Sequence, residues 1–136
     1  MIVITRPRSL LAALVMVVAA DVGEAHEIGK TLVTATIAQG AYQVDVVVDP
    51  DALLTTLQAS AGTTPVQPTT RVERDRRLVS LAPVFLDRIT ITFDGERAEP
   101  RLTYLPSSSL GDLAQAPSIV RLTGTLPIGA RDFGFA

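Results

Sequence analysis

The sequence contains no cysteine and a single histidine, His26, in 136 residues. No disulfide can form, and the chain has neither a cysteine–histidine catalytic pair nor the several histidines of a common zinc site. A Ser-His-Asp triad would have to use His26 as its base. The inventory of side chains thus excludes most hydrolytic and metal-dependent catalytic sites.

The sequence also lacks an excess of basic residues, with a formal net charge of −2 and a pI of about 5.3. Nucleic-acid binding calls for a basic face, so no nucleic-acid partner is expected. The basic cluster "RVERDRR", residues 71–77, is interrupted by Glu73 and Asp75. This pattern favours a solvated mixed-charge surface, with phosphate binding as the alternative.

Residues 1–25 follow the order of a secretory signal peptide. Two arginines supply the positive region, and an uncharged apolar run covers residues 10–20. Gly23 and Ala25 are the small residues at the third and first positions before a cut. Because a membrane-spanning helix needs about 20 apolar residues, the run is short for an anchor. The sequence predicts cleavage after Ala25 and an exported domain, residues 26–136, that is periplasmic or secreted; an uncleaved N-terminal anchor is the alternative.

Cleavage at this point would make His26 the first residue of the mature chain. Its α-amino nitrogen and its imidazole Nδ1 can chelate one metal ion together, and nitrogen ligands of this kind suit Cu(II) and Ni(II). Glu27 is the adjacent carboxylate, and a tight site would need further donors. The alternative is that His26 merely follows the cut. A histidine at a frayed terminus is poorly held for general-base catalysis, so we expect a protein that is not an enzyme.

The mature region begins with the clearest structural pattern. Residues 30–49 alternate in hydrophobicity and are rich in β-branched side chains, with a break at Gln39-Gly40. Period-2 patterning split by a short glycine turn predicts a β-hairpin. The strand pattern returns from residue 88, turns at Asp94-Gly95, and continues at residues 101–105 and 118–127.

Two helices are predicted between these strand regions. Asp49 and Pro50 form a capping start, the leucines that follow are spaced for one helical stripe, and Gly62 ends the run. The pattern of residues 71–87 predicts a second short helix. Pro83 argues against its last turns, because proline interrupts a helix interior. Its predicted apolar face comprises Val72, Leu78, Leu81 and Phe85. The expected fold is mostly β: an antiparallel β-sandwich with one or two short helices inserted in a connection.

The last residues begin a further strand pattern, with Phe133 and Phe135 two positions apart, and the chain stops at Ala136. A strand that stops within its apolar run indicates either a missing partner or a chain that is truncated, so that the domain is incomplete at its C-terminus. If the two phenylalanines lie on an unpaired edge, we expect the chain to associate through it.

Three segments in this order resemble a known family: "AHEIGKT" before the hairpin, the strand "ITITFDG", and "VRLTGTLPIGARDF" near the end. The chain is similar to the extracytoplasmic N-terminal region of the HupE/UreJ family of bacterial membrane proteins. In that family a signal peptide and an "AH-[DE]-I" segment precede a β-rich domain and a bundle of transmembrane helices. The resemblance covers residues 25–136. It implies an accessory role linked to nickel or cobalt handling, and a partner in the membrane.

The sequence departs from that family because it has no transmembrane bundle, so the transport function is not carried over. What remains is the exported β-domain with His26 and Glu27 at its start. The chain also resembles, more loosely, periplasmic copper carriers of the CopC type, whose mature chains begin with histidine after alanine. Those carriers use a second histidine, which this sequence lacks.

Overall fold

The computed structural model describes residues 4–5, 16–19, 32–107 and 117–136. Within these ranges the strands are β1 (Ile4–Thr5), β2 (Met16–Ala19), β3 (Leu32–Ala38), β4 (Ala41–Val48), β5 (Ile91–Phe93), β6 (Glu96–Ala98), β7 (Arg101–Leu105), β8 (Ser118–Thr125) and β9 (Asp132–Phe135). They pair into two antiparallel sheets, ordered β1-β9-β5-β6 and β2-β3-β4-β8-β7. The helices α1 (Pro50–Ser60), α2 (Arg71–Ser80) and α3 (Ala82–Leu86) all lie between β4 and β5.

The two sheets pack face to face around one hydrophobic core. Rings from both sheets meet at its centre: the Tyr42 and Phe93 centroids are 5.0 Å apart, and those of Phe93 and Phe133 are 5.6 Å apart. The buried core residues from the two sheets are Tyr42, Val44, Val46, Ile91, Phe93, Val120, Leu122 and Phe133. The prediction of an antiparallel β-sandwich with short helices in a connection is confirmed.

The predicted hairpin forms β3 and β4, with every residue from Leu32 to Ala38 paired across it. Its turn is of type I′, since Gln39 and Gly40 have φ values of 51° and 75°. The predicted turn at Asp94-Gly95 has the same sign of φ at both positions. The Asp94 carboxylate accepts hydrogen bonds from the backbone N–H groups of residues 131 and 132, and these bonds lower its pKa. Asp94 thereby fixes the start of β9.

A close approach of backbone to ring explains the glycine within β8. Gly124 lies directly opposite Tyr42 in the β4–β8 pairing. A Cβ atom at this position would stand 2.5 Å from the hydroxyl oxygen of the buried Tyr42, which is closer than real Cβ contacts come. Glycine is required here because the Tyr42 ring covers its backbone.

The first helix has the predicted start and end. The Asp49 carboxylate accepts hydrogen bonds from the N–H groups of Asp51 and Ala52, at 2.9 and 3.1 Å. Pro50 occupies the first turn, and Gly62 follows the C-cap residue Ala61 with φ of 71°. Asp49 is therefore a helix cap, as its position predicted.

The structure has two helices, α2 and α3, where the sequence predicted one. Helix α3 begins at Ala82, and Pro83 lies in its first turn, where proline needs no backbone N–H. The prediction that Val72 joins the apolar face is wrong: Val72 is 68% exposed. Six residues turn an α-helix by about 600°, which places Val72 about 120° around from Leu78. The buried residues of α2 are Arg74 and Leu78.

The predicted last strand is β9, and Phe133 contributes to the core. On the β5 side the end of the chain is fully paired, since Thr90 and Ala136 exchange two backbone hydrogen bonds of 2.7 and 3.0 Å. On its other side β9 pairs with residues 4–5. An incomplete C-terminus stays a prediction.

The predicted signal peptide lies mostly outside the described residues. Its described parts are β1, which pairs with β9, and β2, which pairs with β3. In the part of the chain that the structure describes, no helix is long and apolar enough to cross a membrane.

Candidate functional site

The two predicted metal ligands, His26 and Glu27, lie outside the described residues. Within the described ranges, no three histidine, cysteine, aspartate or glutamate side chains are grouped so as to hold a metal ion. The proposed metal site is therefore carried by the sequence alone.

Helix α2 carries a buried cation, Arg74, in the segment where the sequence predicted a solvated surface. The side chain of Arg74 is 6% exposed, and its Nε lies 3.1 Å from the Asp75 Oδ1. Its Nη1 lies 3.5 Å from the Asp51 Oδ2 on α1. Burial is the largest single influence and lowers the pKa of Arg74, but the hydrogen bond to Asp75 and the neighbouring negative charges, those of Asp75 and Asp51 first, together raise it, so the guanidinium stays charged. Arg74 thus ties the two helices together.

Asp75 extends this cluster to the larger sheet. The Tyr104 hydroxyl on β7 lies 3.0 Å from the Asp75 Oδ1 and 2.8 Å from the Ser118 Oγ on β8. A phenol has one proton and a carboxylate only accepts, so Tyr104 donates to Asp75 and Ser118 donates to Tyr104. We call Asp51, Arg74, Asp75, Tyr104 and Ser118 the polar clamp.

The polar clamp holds the helices on the sheet and is poorly suited to catalysis. Burial raises the pKa of Tyr104, so its phenol stays protonated at neutral pH. Ser118 is 1% exposed, which keeps its hydroxyl from a substrate. The neighbouring crevice between helices and sheet has about 10 Å³ of internal space, room for about one water molecule.

Sequence reasoning missed the polar clamp. The available signal was helical spacing: Arg74, Leu78 and Leu81 are related by i, i+4 and i+7 and so share one face. An arginine on the same face as buried leucines predicts a paired buried cation. Its partners Tyr104 and Ser118 could not be found this way, since strand pairing over long sequence separations brings them together.

The outer face of the larger sheet carries a second arrangement of charge. Asp45 and Arg121 lie opposite each other on β4 and β8 and form a bidentate ion pair with two distances of 2.8 Å. The Gln43 amide donates to the Asp45 Oδ2, which also accepts from Arg121, at 3.0 Å. Threonines extend this row on both sides, Thr34 on β3 and Thr103 on β7.

The next row across the same face is entirely apolar. Strand register aligns one side chain from each of four strands: Leu32, Val47, Ile119 and Leu105. Leu32 is 39% exposed, and the other three are half-buried. We call these four side chains the apolar row. It lies one row from Arg121, on the side of the sheet that faces away from the sandwich core.

Isolated apolar side chains are exposed elsewhere. Val72 and Val79 lie on one side of α2 at 68% and 57% exposure, and Ile128 is fully exposed between β8 and β9. These residues stand singly or in pairs, which is ordinary for a protein surface. The apolar row differs from them because its four members are aligned by backbone pairing.

Comparison with known proteins gives no match to a family model, to a curated protein or to a solved structure.

Proposed function

We propose that the chain is an exported, non-enzymatic accessory domain that binds a membrane partner through the outer face of its larger sheet. The role resembles that of the extracytoplasmic region of HupE/UreJ-type membrane proteins, with a link to nickel or cobalt handling. The order of features in residues 1–25 supports export to the periplasm or outside the cell. The segments "AHEIGKT" and "GTLPIGARDF" support the family resemblance.

The apolar row is the observation that carries the binding role. In an antiparallel sheet with one face in water, apolar side chains point to the core and polar side chains point outward. Four aligned apolar side chains on the outward side depart from this pattern. The centres of protein interfaces combine apolar side chains with arginine, and Arg121 lies one row away.

The test replaces one residue at the middle of this surface. Ile119 lies between Val47 and Leu105 in the apolar row. We expect Ile119→Lys to weaken binding to vesicles that contain the transmembrane part of a HupE/UreJ-type protein by about tenfold or more, since a central interface residue contributes about 1–2 kcal/mol. The measurement is binding of the exported protein by vesicle co-sedimentation.

Val79→Lys provides the matched control, because it adds the same charge at an exposed apolar position on α2. The control should bind as the wild type does, and both variants should unfold at wild-type denaturant concentrations. Equal loss of binding in the two variants would contradict the proposal. Wild-type protein that binds loaded and empty vesicles equally would contradict it as well.

A second proposal is a periplasmic copper or nickel carrier that uses the mature N-terminus. The amine and imidazole of His26 supply two nitrogen ligands and Glu27 supplies a carboxylate, a donor set that fits Cu(II) or Ni(II) only with further ligands. It is supported by the position of His26 directly after Ala25. A carrier loses its metal when His26 is replaced by alanine, whereas the binding domain is unaffected.

A further inference from the structure

The outer edge of β3 accepts an antiparallel strand. Residues Met16–Ala19 pair with Leu32–Ala35 in this direction, which leaves Thr36 to Ala38 beyond the end of β2. The inference rests on the export proposed above. Cleavage after Ala25 removes β2 and exposes the backbone donors and acceptors along the whole edge of β3. An exposed row of this kind is a template for another strand.

The other edges of the two sheets carry features that discourage strand addition. β6 has three residues, two of them the charged Glu96 and Arg97. β7 lies between Pro100 and Pro106, and proline interrupts a ladder of backbone hydrogen bonds. β3, in contrast, has the sequence "LVTATIA" over seven residues, with no charge, no proline and no glycine. Cleavage also removes β1 and leaves β9 as an edge, but β9 has only four residues, which include Gly134 and the charged Asp132. Among the described edges of the cleaved chain, β3 is therefore the one with no charge, proline or glycine.

We propose that the edge of β3 in the cleaved protein binds the same edge of a second copy, to form a symmetric dimer. A two-fold axis makes two identical strands antiparallel, which is the direction in which β2 occupies the edge. With the axis at Ala35, Thr34 lies opposite the partner subunit's Thr36, and Val33 lies opposite the partner subunit's Ile37. Threonine pairs and β-branched apolar pairs both stabilise neighbouring strands. The larger sheets of the two copies then join into one continuous sheet.

Two lysines on β3 should disrupt this dimer and leave the fold of each copy intact. Within one copy Thr34 faces Asp45 and Thr36 faces Gln43, so Thr34→Lys and Thr36→Lys together meet a carboxylate and an amide. In the dimer each new lysine at 34 lies opposite the partner's new lysine at 36. Like charges directly opposite each other destabilise strand pairing. The double variant should therefore fold as a monomer.

The matched control adds the same two charges away from the edge of β3. Thr64 in the loop after α1 and Thr125 on β8 are both exposed, so Thr64→Lys with Thr125→Lys should leave the dimer intact. The protein is exported, purified from the extracytoplasmic fraction and checked by intact mass. Its molar mass in solution is then measured by sedimentation velocity across a dilution series, with circular dichroism to confirm folding.

We expect wild type and control to sediment as dimers, and the double-lysine variant of β3 to sediment at half that mass with an unchanged spectrum. A wild-type protein that begins at His26 and stays monomeric overturns the dimer but leaves the export proposal standing. A β3 variant that remains dimeric also overturns it. A recovered chain that retains residues 1–25 overturns the proposed processing instead, because the edge of β3 then keeps β2.

Discussion

Replacing Phe93 with alanine should lower the free energy of unfolding by about 3–5 kcal/mol, as large-to-small changes of buried phenylalanines do. Phe93 is 3% exposed and stands between Tyr42 of the larger sheet and Phe133 of its own sheet. Its removal deletes both ring contacts and leaves a cavity between the layers. A domain of this size has about 5–15 kcal/mol of stability, so the variant would lie near the unfolding threshold. Denaturant titration followed by circular dichroism measures the change.

Phe135→Ala is the matched control for this experiment. Phe135 lies on the neighbouring β9 and packs at the margin of the core, half-buried. Its loss should cost clearly less than the loss of Phe93, because the remaining space is open to solvent. Equal small effects, below about 1 kcal/mol in both variants, would show that the sheets do not pack through this aromatic group.

Replacing Arg74 with methionine should lower the free energy of unfolding by about 1.5–3 kcal/mol, the range for hydrogen bonds to charged groups. Methionine keeps much of the apolar stem of Arg74 but leaves the Asp75 carboxylate without its guanidinium partner. The side chains of Asp75 and Asp51 are 23% and 41% exposed, so water replaces part of what is lost. For this reason we expect less than the cost of breaking a fully buried ion pair.

Arg76→Met is the control, because Arg76 is exposed on the same helix and its loss should change stability by no more than about 0.5 kcal/mol. Combining Arg74→Met with Asp75→Asn tests the pairing itself. If the two residues act together, the double variant should be more stable than the sum of the single changes predicts. Additive effects, or an Arg74→Met variant as stable as Arg76→Met, would contradict the clamp.

Local sequence signals predicted the hairpin and the first helix well. Gln39-Gly40 gives a type I′ turn because both residues tolerate positive φ better than branched side chains do. Asp49 and Pro50 place the helix start because capping depends on residues only two or three apart. The β-sandwich could be predicted because the sequence has several alternating strands but helices in only one connection. The apolar faces of the strands must then be covered by a second sheet.

Contacts between distant segments were beyond the reach of those signals. The polar clamp joins α1, α2, β7 and β8, whose pairing depends on the whole topology. The apolar row can be predicted only if the register of four strands is known. Leu32 and Leu105 are aligned with each other only because Val47 and Ile119 pair between them. The error at Val72 arose from counting apolar residues without fixing their angle around the helix. His26 and Glu27 lie outside the described residues, so their predicted role is untested.

The intact mass of the exported protein, measured with and without equimolar Cu(II) or Ni(II), is the most direct test of the proposed export. Native mass spectrometry of the extracytoplasmic fraction should give the mass of a chain that begins at His26. A chain that retains residues 1–25 and stays inside the cell would contradict the proposal of an exported domain. A processed chain that takes up one ion, and loses this ability in the His26→Ala variant, would replace the binding domain with the metal carrier as the leading proposal.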